Sequence, residues 1–408
     1  MVAIPTHPDP TLQALRGALE ARAQAEQARP YLGMSGIGQV CERQLWYGFR
    51  WAARERMGAD SIMRINDGHR SEDVMADYLR LVPGIRLLTR DPRTGRQFGF
   101  VDLGGHFRGH ADGMISGLHQ APTTLHVWEA KATNDKKVAQ LAKAKADKGE
   151  KQALKAWDPV YHAQAILYMA YSETTRHYLT CSSPGVRSIE SVRTDTDLDE
   201  ARRLRAKAER VITAAEPLPG ISNDPAWYEC KWCPAHAICH TNALPAATCR
   251  TCAHATPEMD GDGRWSCALH GHDLTVDAQR QACDGHRYIP ALLSRWGEAV
   301  DASPAENWVE YRLKDGSTFR NGPKGERSYL SRELQGMTPD LIGDPPLDQL
   351  RDLFNAEASP IVDYQWRPFN GGRHLGRYED GQWKKWVGKD SDEYETAKAI
   401  ADSKEEAA

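Results

Sequence analysis

Hydrophobic spacing along the first half of the chain switches between helical and extended periods. Leu12, Leu15, Leu19 and Ala23 recur at helical spacing over residues 9–29 and predict an amphipathic helix. Pro30, Gly33 and Gly36 interrupt it, and a second helix carrying Cys41, Leu45 and Trp46 is expected from about Ser35. Val74, Met75, Tyr78 and Leu79 mark an apolar stripe on a third, at 68–81. From 85 to 133 the period shortens. QFGFVDLGGHFRGHADGMISG reads as strands joined by glycine turns, and LHVWEAKAT alternates, with Leu125, Val127, Glu129 and Lys131 on one face. Helical spacing returns over 136–155 and 158–174, two strands are expected within 176–193, and a charged helix within 195–214. This order predicts a mixed α/β fold around a small sheet.

Composition changes at Leu244–Pro245, and a second cysteine group follows, ending at Cys283. Beyond Pro290 the chain is rich in tryptophan, glycine and charge, with hairpin-like turns at Asn370-Gly371-Gly372 and Glu379-Asp380-Gly381. A chain of 408 residues is long for one small domain. The divisions expected are an N-terminal helical extension (1–30), a main domain (31–245), a cysteine-rich module (246–290) and a C-terminal α+β region with an acidic tail (291–408). No run approaches the apolar length of a membrane span, and the first residues lack a signal peptide's apolar stretch. A cytoplasmic protein without a membrane partner is expected, and nine cysteines in that compartment suit metal ligation better than disulfides.

A net charge of −4 neither favours nor excludes nucleic acid. Its distribution says more, because residues 136–155 hold seven lysines against Asp147 and Glu150. Such a run is either a solvated helix face or a phosphate contact. Just before it lies a candidate reactive centre. Asp112, in GHADG, ends one expected strand, and Glu129 and Lys131, in WEAKA, share one face of the next. Two carboxylates beside a lysine suit Mg²⁺ or Mn²⁺, which take oxygen ligands and keep room for water and phosphate. The alternative is a turn-capping aspartate and a surface ion pair. His69 and Glu72, in DGHRSEDVMADYL, lie three apart on a helix and could add a ligand. Gln164 and Tyr168, in QAILY, are i and i+4 on another.

Taken in order, G-x3-E or a histidine, Asp, E-x-K and Q-x3-Y resemble the RecB-like branch of the PD-(D/E)XK nucleases. Cys41 before this set and the C-x2-C-x5-C run of Cys230, Cys233 and Cys239 after it resemble the iron–sulfur members, such as the CRISPR-associated adaptation nucleases and AddB-type nuclease domains. Phage recombination exonucleases are similar in layout. The resemblance covers about residues 31–242 and departs from the family pattern at Ala111, where a proline usually precedes the aspartate. It implies a restriction-endonuclease-like core, a mixed central sheet flanked by helices. It makes Asp112 and Glu129 metal ligands, Glu72 or His69 a further ligand and Lys131 the catalytic lysine, with Gln164 and Tyr168 contacting DNA or bracing the site. It also places a [4Fe–4S] cluster on Cys41, Cys230, Cys233 and Cys239, with zinc on the same thiolates as the alternative.

Cys249, Cys252, Cys267 and Cys283 form a second set, whose first pair has zinc-knuckle spacing. A structural zinc is expected there. A second cluster and unliganded cysteines are the alternatives, and His270, His272 or His286 could replace one ligand. Cys181 reads as a core residue. In 363–389, Trp366, Phe369, Trp383 and Trp386 interleave with Arg367, Arg373, Arg377, Lys384 and Lys385, as in a base-stacking surface or a small β-domain. The resemblance implies a metal-dependent DNA exonuclease acting on ends or single strands in recombination, replication or repair. A single-strand-binding or annealing protein is the implied partner. No P-loop GxxxxGK[ST] is present, which points to a phage or mobile-element enzyme over a helicase–nuclease. The alternatives are a DNA-processing endonuclease and a metal-stabilised DNA-binding module without cleavage.

Overall fold

Short capping and breaking signals set most element boundaries of the first 214 residues. The computed structural model describes residues 9–53, 57–354, 356–357, 362–369, 372–379 and 382–389, with 394, 395, 397, 398 and 401. Asp9 caps α1 (Pro10–Ala25), accepting hydrogen bonds from the Thr11 and Leu12 amides. Its expected apolar stripe is only partly used, since Leu12 and Leu15 are each 49% exposed. A two-residue strand β1 (Leu32–Gly33) follows, then α2 (Glu42–Phe49), for which Cys41 is the N-cap residue. The third helix, α3 (Ala59–Arg80), begins well before the expected Gly68. It turns Met75 inward and leaves Val74 and Tyr78 exposed, so the four-residue stripe splits across two faces.

The β region forms two sheets. Strands β2 (Arg86–Leu88), β3 (Phe98–Asp102), β4 (Phe107–Ala111), β5 (Gly113–Ser116) and β6 (His126–Ala132) precede a helical block. That block comprises α4 (Asp135–Lys148), α5 (Glu150–Trp157) and α6 (Pro159–Tyr171). Then come β7 (Arg176–Ser182), β8 (Ile189–Asp195) and α7 (Leu198–Thr213). The larger sheet has the order β2-β5-β6-β7-β8, with β6 and β7 parallel and the other pairs antiparallel. The smaller sheet has the order β1-β4-β3. The expected single helix over 136–155 is two, because Gly149 at φ +79° breaks it. The following helix starts where Asp158 caps and Pro159 presets the first turn.

β6 is buried on both sides over its first half: His126, Val127, Trp128 and Glu129 are all at most 3% exposed. Leu125, expected on one face with Val127, Glu129 and Lys131, lies before the strand and is 48% exposed. A central strand joined to a parallel neighbour by a helical crossover is covered on both faces, which simple alternation does not reveal. The Trp128 indole donates to Thr180 Oγ1 at 3.0 Å, satisfying its polar edge in the core.

The chain ends flanking this core are tied by packing of α2 on α7. Trp46 Nε1 and Arg50 donate to the Ala214 carbonyl at 2.9 and 3.1 Å, and Arg43 donates to Leu218 at 2.8 Å. The cysteine-rich segment adds a three-stranded antiparallel sheet over 255–274, and residues 297–329 a four-stranded one. One buried apolar cluster runs from Leu32 to Ile342 and includes residues of both. Arg250 links them. Burial holds its guanidinium down to about 9, and it lies 3.7 Å from the Trp51 ring centroid while donating to the Phe49 and Pro30 carbonyls. The last three strands, 362–369, 372–379 and 382–387, form an antiparallel meander. The expected turns at 370–371 and 380–381, and the side chains of Phe369, Trp383, Arg367, Arg373, Lys384 and Lys385, lie outside the described residues. Among the described residues no helix is long and apolar enough to cross a membrane.

Candidate active site

The run from β4 to β5 leaves one sheet and enters the other at a single residue, Asp112. Glycines on either side permit the passage. A Cβ at Gly109 would meet Tyr168 Cε1 at 2.6 Å and Met34 Sδ at 2.8 Å, and one at Gly113 would meet the Leu88 carbonyl at 2.7 Å. Both strands therefore press closely on their neighbours, and Asp112 is held against β6. Its Oδ2 accepts from the Ala130 amide at 2.8 Å. The adjacent β6 residues, Glu129 and Lys131, form an ion pair between Lys131 Nζ and Glu129 Oε1. The same oxygen accepts from Gln164 Nε2 of α6 at 2.7 Å. One turn further on, the Tyr168 hydroxyl accepts from the His110 amide at 3.3 Å, bracing β4.

These groups border an open cleft of about 970 Å³. Asp112, Lys131, Gln164, Tyr168, His69 and Glu72 all line it. Glu129 does not: it is 3% exposed and reaches the cleft through its bonds to Lys131 and Gln164. All seven residues singled out for this centre are thus brought together. Gly68 and Glu72 lie in the middle of α3, where the expectation had them opening it.

Burial sets the electrostatics. It pushes the Glu129 carboxyl up to about 8, with Lys131 opposing and Asp112 adding to the rise. Burial likewise raises Asp112, against the pull of Lys131. Glu72 is pushed up to about 7 by burial first, then by Asp112 and Asp73. Burial draws Lys131 down, but Glu129 and Asp112 outweigh it and keep the ammonium charged. Glu129 Oε2 is buried without a hydrogen-bond partner. Crowded carboxylates with an unsatisfied oxygen are what a bound cation would relieve. As placed, among the described residues, no three His, Cys, Asp or Glu side chains form a group that could hold a metal ion.

Four arginines that the sequence did not single out also line the cleft: Arg29, Arg64, Arg90 and Arg108. They come from the segment before β1, from α3, from the loop after β2 and from β4, so no local pattern marks them. Among the described residues none has a carboxylate partner within ion-pair distance. Arg64 donates to Ser61 Oγ at 2.8 Å, Arg90 to the Gly95 carbonyl at 3.3 Å and Arg108 to the Gly105 carbonyl at 2.7 Å. The lysine-rich run is different. None of its seven lysines lines the cleft, and Lys137, Lys143, Lys145 and Lys151 are ion-paired to Asp158, Asp147, Glu190 and Asp195. The phosphate-contact expectation for that run has no support in its position.

The two cysteine sets each border one cavity. Cys41, Cys230, Cys233 and Cys239 line a space of about 20 Å³. Arg43 faces Cys239 and offsets part of the rise that burial imposes on its thiol. Cys249, Cys252, Cys267 and Cys283 line a larger cavity of about 400 Å³. His270 Nε2 lies 3.4 Å from Cys283 Sγ, whereas the buried His286 is engaged with the Thr248 carbonyl at 2.9 Å. Cys181 is fully buried in the core, as expected.

No protein-family model matches the chain, and no curated protein is significantly similar to it. Among solved structures, it is similar to SSO0001 at 18% identity and a TM-score of 0.33, covering 56% of this chain and 95% of that one. It is similar to the alkaline exonuclease LHK-Exo from Laribacter hongkongensis at 13% identity and a TM-score of 0.32, covering 48% and 90%. A phage-related exonuclease from Haemophilus somnus gives 12% identity and a TM-score of 0.26, covering 36% and 70%.

Proposed function

We propose that this chain is a DNA nuclease that hydrolyses phosphodiester bonds in the Asp112–Lys131 cleft, with a restriction-endonuclease-like core spanning 31–245. The observation that carries the reading is the convergence of Glu72, Asp112, Lys131, Gln164 and Tyr168 on one cleft, with Glu129 bonded directly behind it. Four separate elements contribute these residues, in the order that the nuclease resemblance requires. A coincidental D…E-x-K match has no reason to gather the other positions.

Hydrolysis needs a water to attack phosphorus, a P–O bond to break, and the leaving oxygen to take a proton. The Lys131 ammonium, held charged beside Glu129, faces the negative charge that develops on the phosphate oxygens. Gln164 fixes Glu129, and Tyr168 fixes the β4 backbone that presents Asp112. The four arginines are placed to hold flanking phosphates. Asp112 and Glu129, with Glu72 or His69, are the residues that would hold Mg²⁺ or Mn²⁺; the carboxylate oxygens suit a hard cation, and Glu129 Oε2 is unsatisfied. When bound, such an ion supplies polarisation of the phosphate and a more acidic water.

The first cysteine set is the proposed second metal centre. Thiolate ligands suit a [4Fe–4S] cluster on the four cysteines, with a single zinc on the same thiolates as the alternative. Iron, sulfide and zinc counts on anaerobically purified protein decide between them. The second set, in the proposed module 246–290, is offered as a structural zinc site.

The test of activity is incubation with end-labelled single- and double-stranded DNA and Mg²⁺ or Mn²⁺. Cleavage by the wild-type protein is expected, with mononucleotides or short products accumulating from the first time points if it is an exonuclease. Internal fragments would assign an endonuclease. An Asp112→Ala protein that cleaves at the wild-type rate refutes the site.

A further inference from the structure

The segment that carries the first cysteine set exposes three large aromatic side chains within six residues. Trp227 is 43% exposed, Tyr228 66% and Trp232 81%. A tryptophan so open to water is unusual, because burying an indole is strongly favourable. Trp227 and Tyr228 rings lie 5.2 Å apart, and the Lys231 ammonium is 5.4 Å from the Trp232 ring centroid. Arg43 and Arg295 bind backbone carbonyls at Leu218 and Cys239, adding positive charge nearby; Glu229 and Asp224 are the acidic neighbours.

A second cavity, of about 390 Å³, shares Arg29, Tyr31, Gly33 and Ser35 with the cleft as common lining. Pro234 and Ala235, two and three residues after Trp232, also line it. Tyr31 stands at the junction, with the Arg108 guanidinium 5.7 Å from its ring centroid. The cleft and the segment that carries the patch thus meet at one shared cavity.

We infer that Trp232, with Lys231 and the Trp227–Tyr228 pair, is a stacking platform for single-stranded nucleic acid that continues out of the cleft past Tyr31. This rests on the nuclease reading for the origin of the strand. Bases stack on exposed aromatic faces without regard to sequence, while lysine and arginine neutralise the backbone between them. Duplex DNA keeps its bases stacked on one another and cannot use such a platform. The platform therefore selects substrates with an unpaired stretch. A protein partner would be the competing occupant, but the lysine over the ring and the continuity with the cleft favour nucleic acid.

The experiment measures binding without cleavage, in chelator, by anisotropy of labelled oligothymidylate. One probe has about 20 nucleotides, exceeding a single-strand site of roughly 4–16, and the other about 4. Trp232→Ala should bind the long probe about tenfold more weakly, as expected for losing one base–aromatic stack. Binding of the short probe and of blunt duplex should be unchanged, and Trp232→Phe should restore most of the loss. Lys231→Glu provides a second variant that keeps the ring and should weaken the same probe. Wild-type affinity of both variants for the long probe overturns the platform and assigns the patch to a protein partner. Equal losses on the long probe, the short probe and duplex overturn it as well. Length-dependent binding through Trp232 in a protein that never cleaves DNA would leave the platform standing and sink the nuclease reading instead.

Discussion

Two basic regions of this protein invite the same interpretation and differ in what surrounds them. The pair α4–α5 packs seven lysines into twenty residues, yet four are ion-paired and none borders the cleft. The four cleft arginines are scattered between residues 29 and 108, and among the described residues none has a carboxylate partner. Charge density along a chain reports solvation. Charge left unneutralised beside buried carboxylates and an ammonium is the kind that an anion would satisfy. A helix face can satisfy its own lysines with acids three or four residues away, or on the next strand, whereas a cleft gathers cations from segments that have no local partners.

The sharpest way to break this contrast is at the centre of the cleft. Lys131→Ala or Asp112→Asn should lower single-turnover cleavage roughly 100- to 1000-fold, the scale of losing one group that faces transition-state charge. DNA binding in chelator should survive. Unchanged cleavage would mean that the cleft is not where the chemistry occurs. Next in size, Arg64→Ala and Arg90→Ala should each weaken binding to all sequences and reduce the slope of log affinity against log salt by about 1. A salt slope indifferent to both would remove the arginines from the phosphate path.

A smaller effect concerns stability. Burial and two neighbouring aspartates hold the Glu72 carboxyl up at about 7, well above its unfolded value of roughly 4.3. Its contribution to stability is therefore present below the unfolded pKa and is lost as pH rises through about 7. In metal-free buffer, Glu72→Gln should melt at a higher temperature than wild type at pH 8. The difference should shrink toward about pH 5, and Mg²⁺ should narrow it by stabilising the wild type. A melting difference independent of pH would show that Glu72 is not held against its charge. Smallest of all, replacing Lys136, Lys148 and Lys155 together by alanine should leave cleavage unchanged and move the salt slope by less than about 1. A drop comparable to that of the cleft arginines would restore the lysine run as a phosphate contact.

Much of the centre was legible from order and spacing. Strand period places Glu129 and Lys131 together, helix period places Gln164 and Tyr168 together, and the structure brings both pairs to one site. Other elements were misjudged where one period serves two environments. The stripe Val74, Met75, Tyr78 and Leu79 looks like one face, but α3 turns only Met75 and Leu79 toward neighbours. Leu125 fits the alternation of β6 and still lies outside it, and within β6 both faces are buried over the first half, which simple alternation does not reveal. Gly149 divides the lysine-rich helix because its positive φ suits glycine, although glycine alone is tolerated inside helices.

The order of residues along the chain marked the candidate chemistry before any tertiary contact. Side-chain types and local periods are properties of the covalent chain, and they marked the carboxylates, the lysine, the Q-x3-Y pair and the eight cysteines in two sets. Where charge would go unanswered was settled by folding. It passed Asp112 from one sheet to another between two close-packed glycines, buried Glu129 with one oxygen unsatisfied, and left Trp232 in water. It also collected four arginines whose only common property is the cleft they face. Burial and long-range convergence depend on every element at once, so no window along the chain contains them.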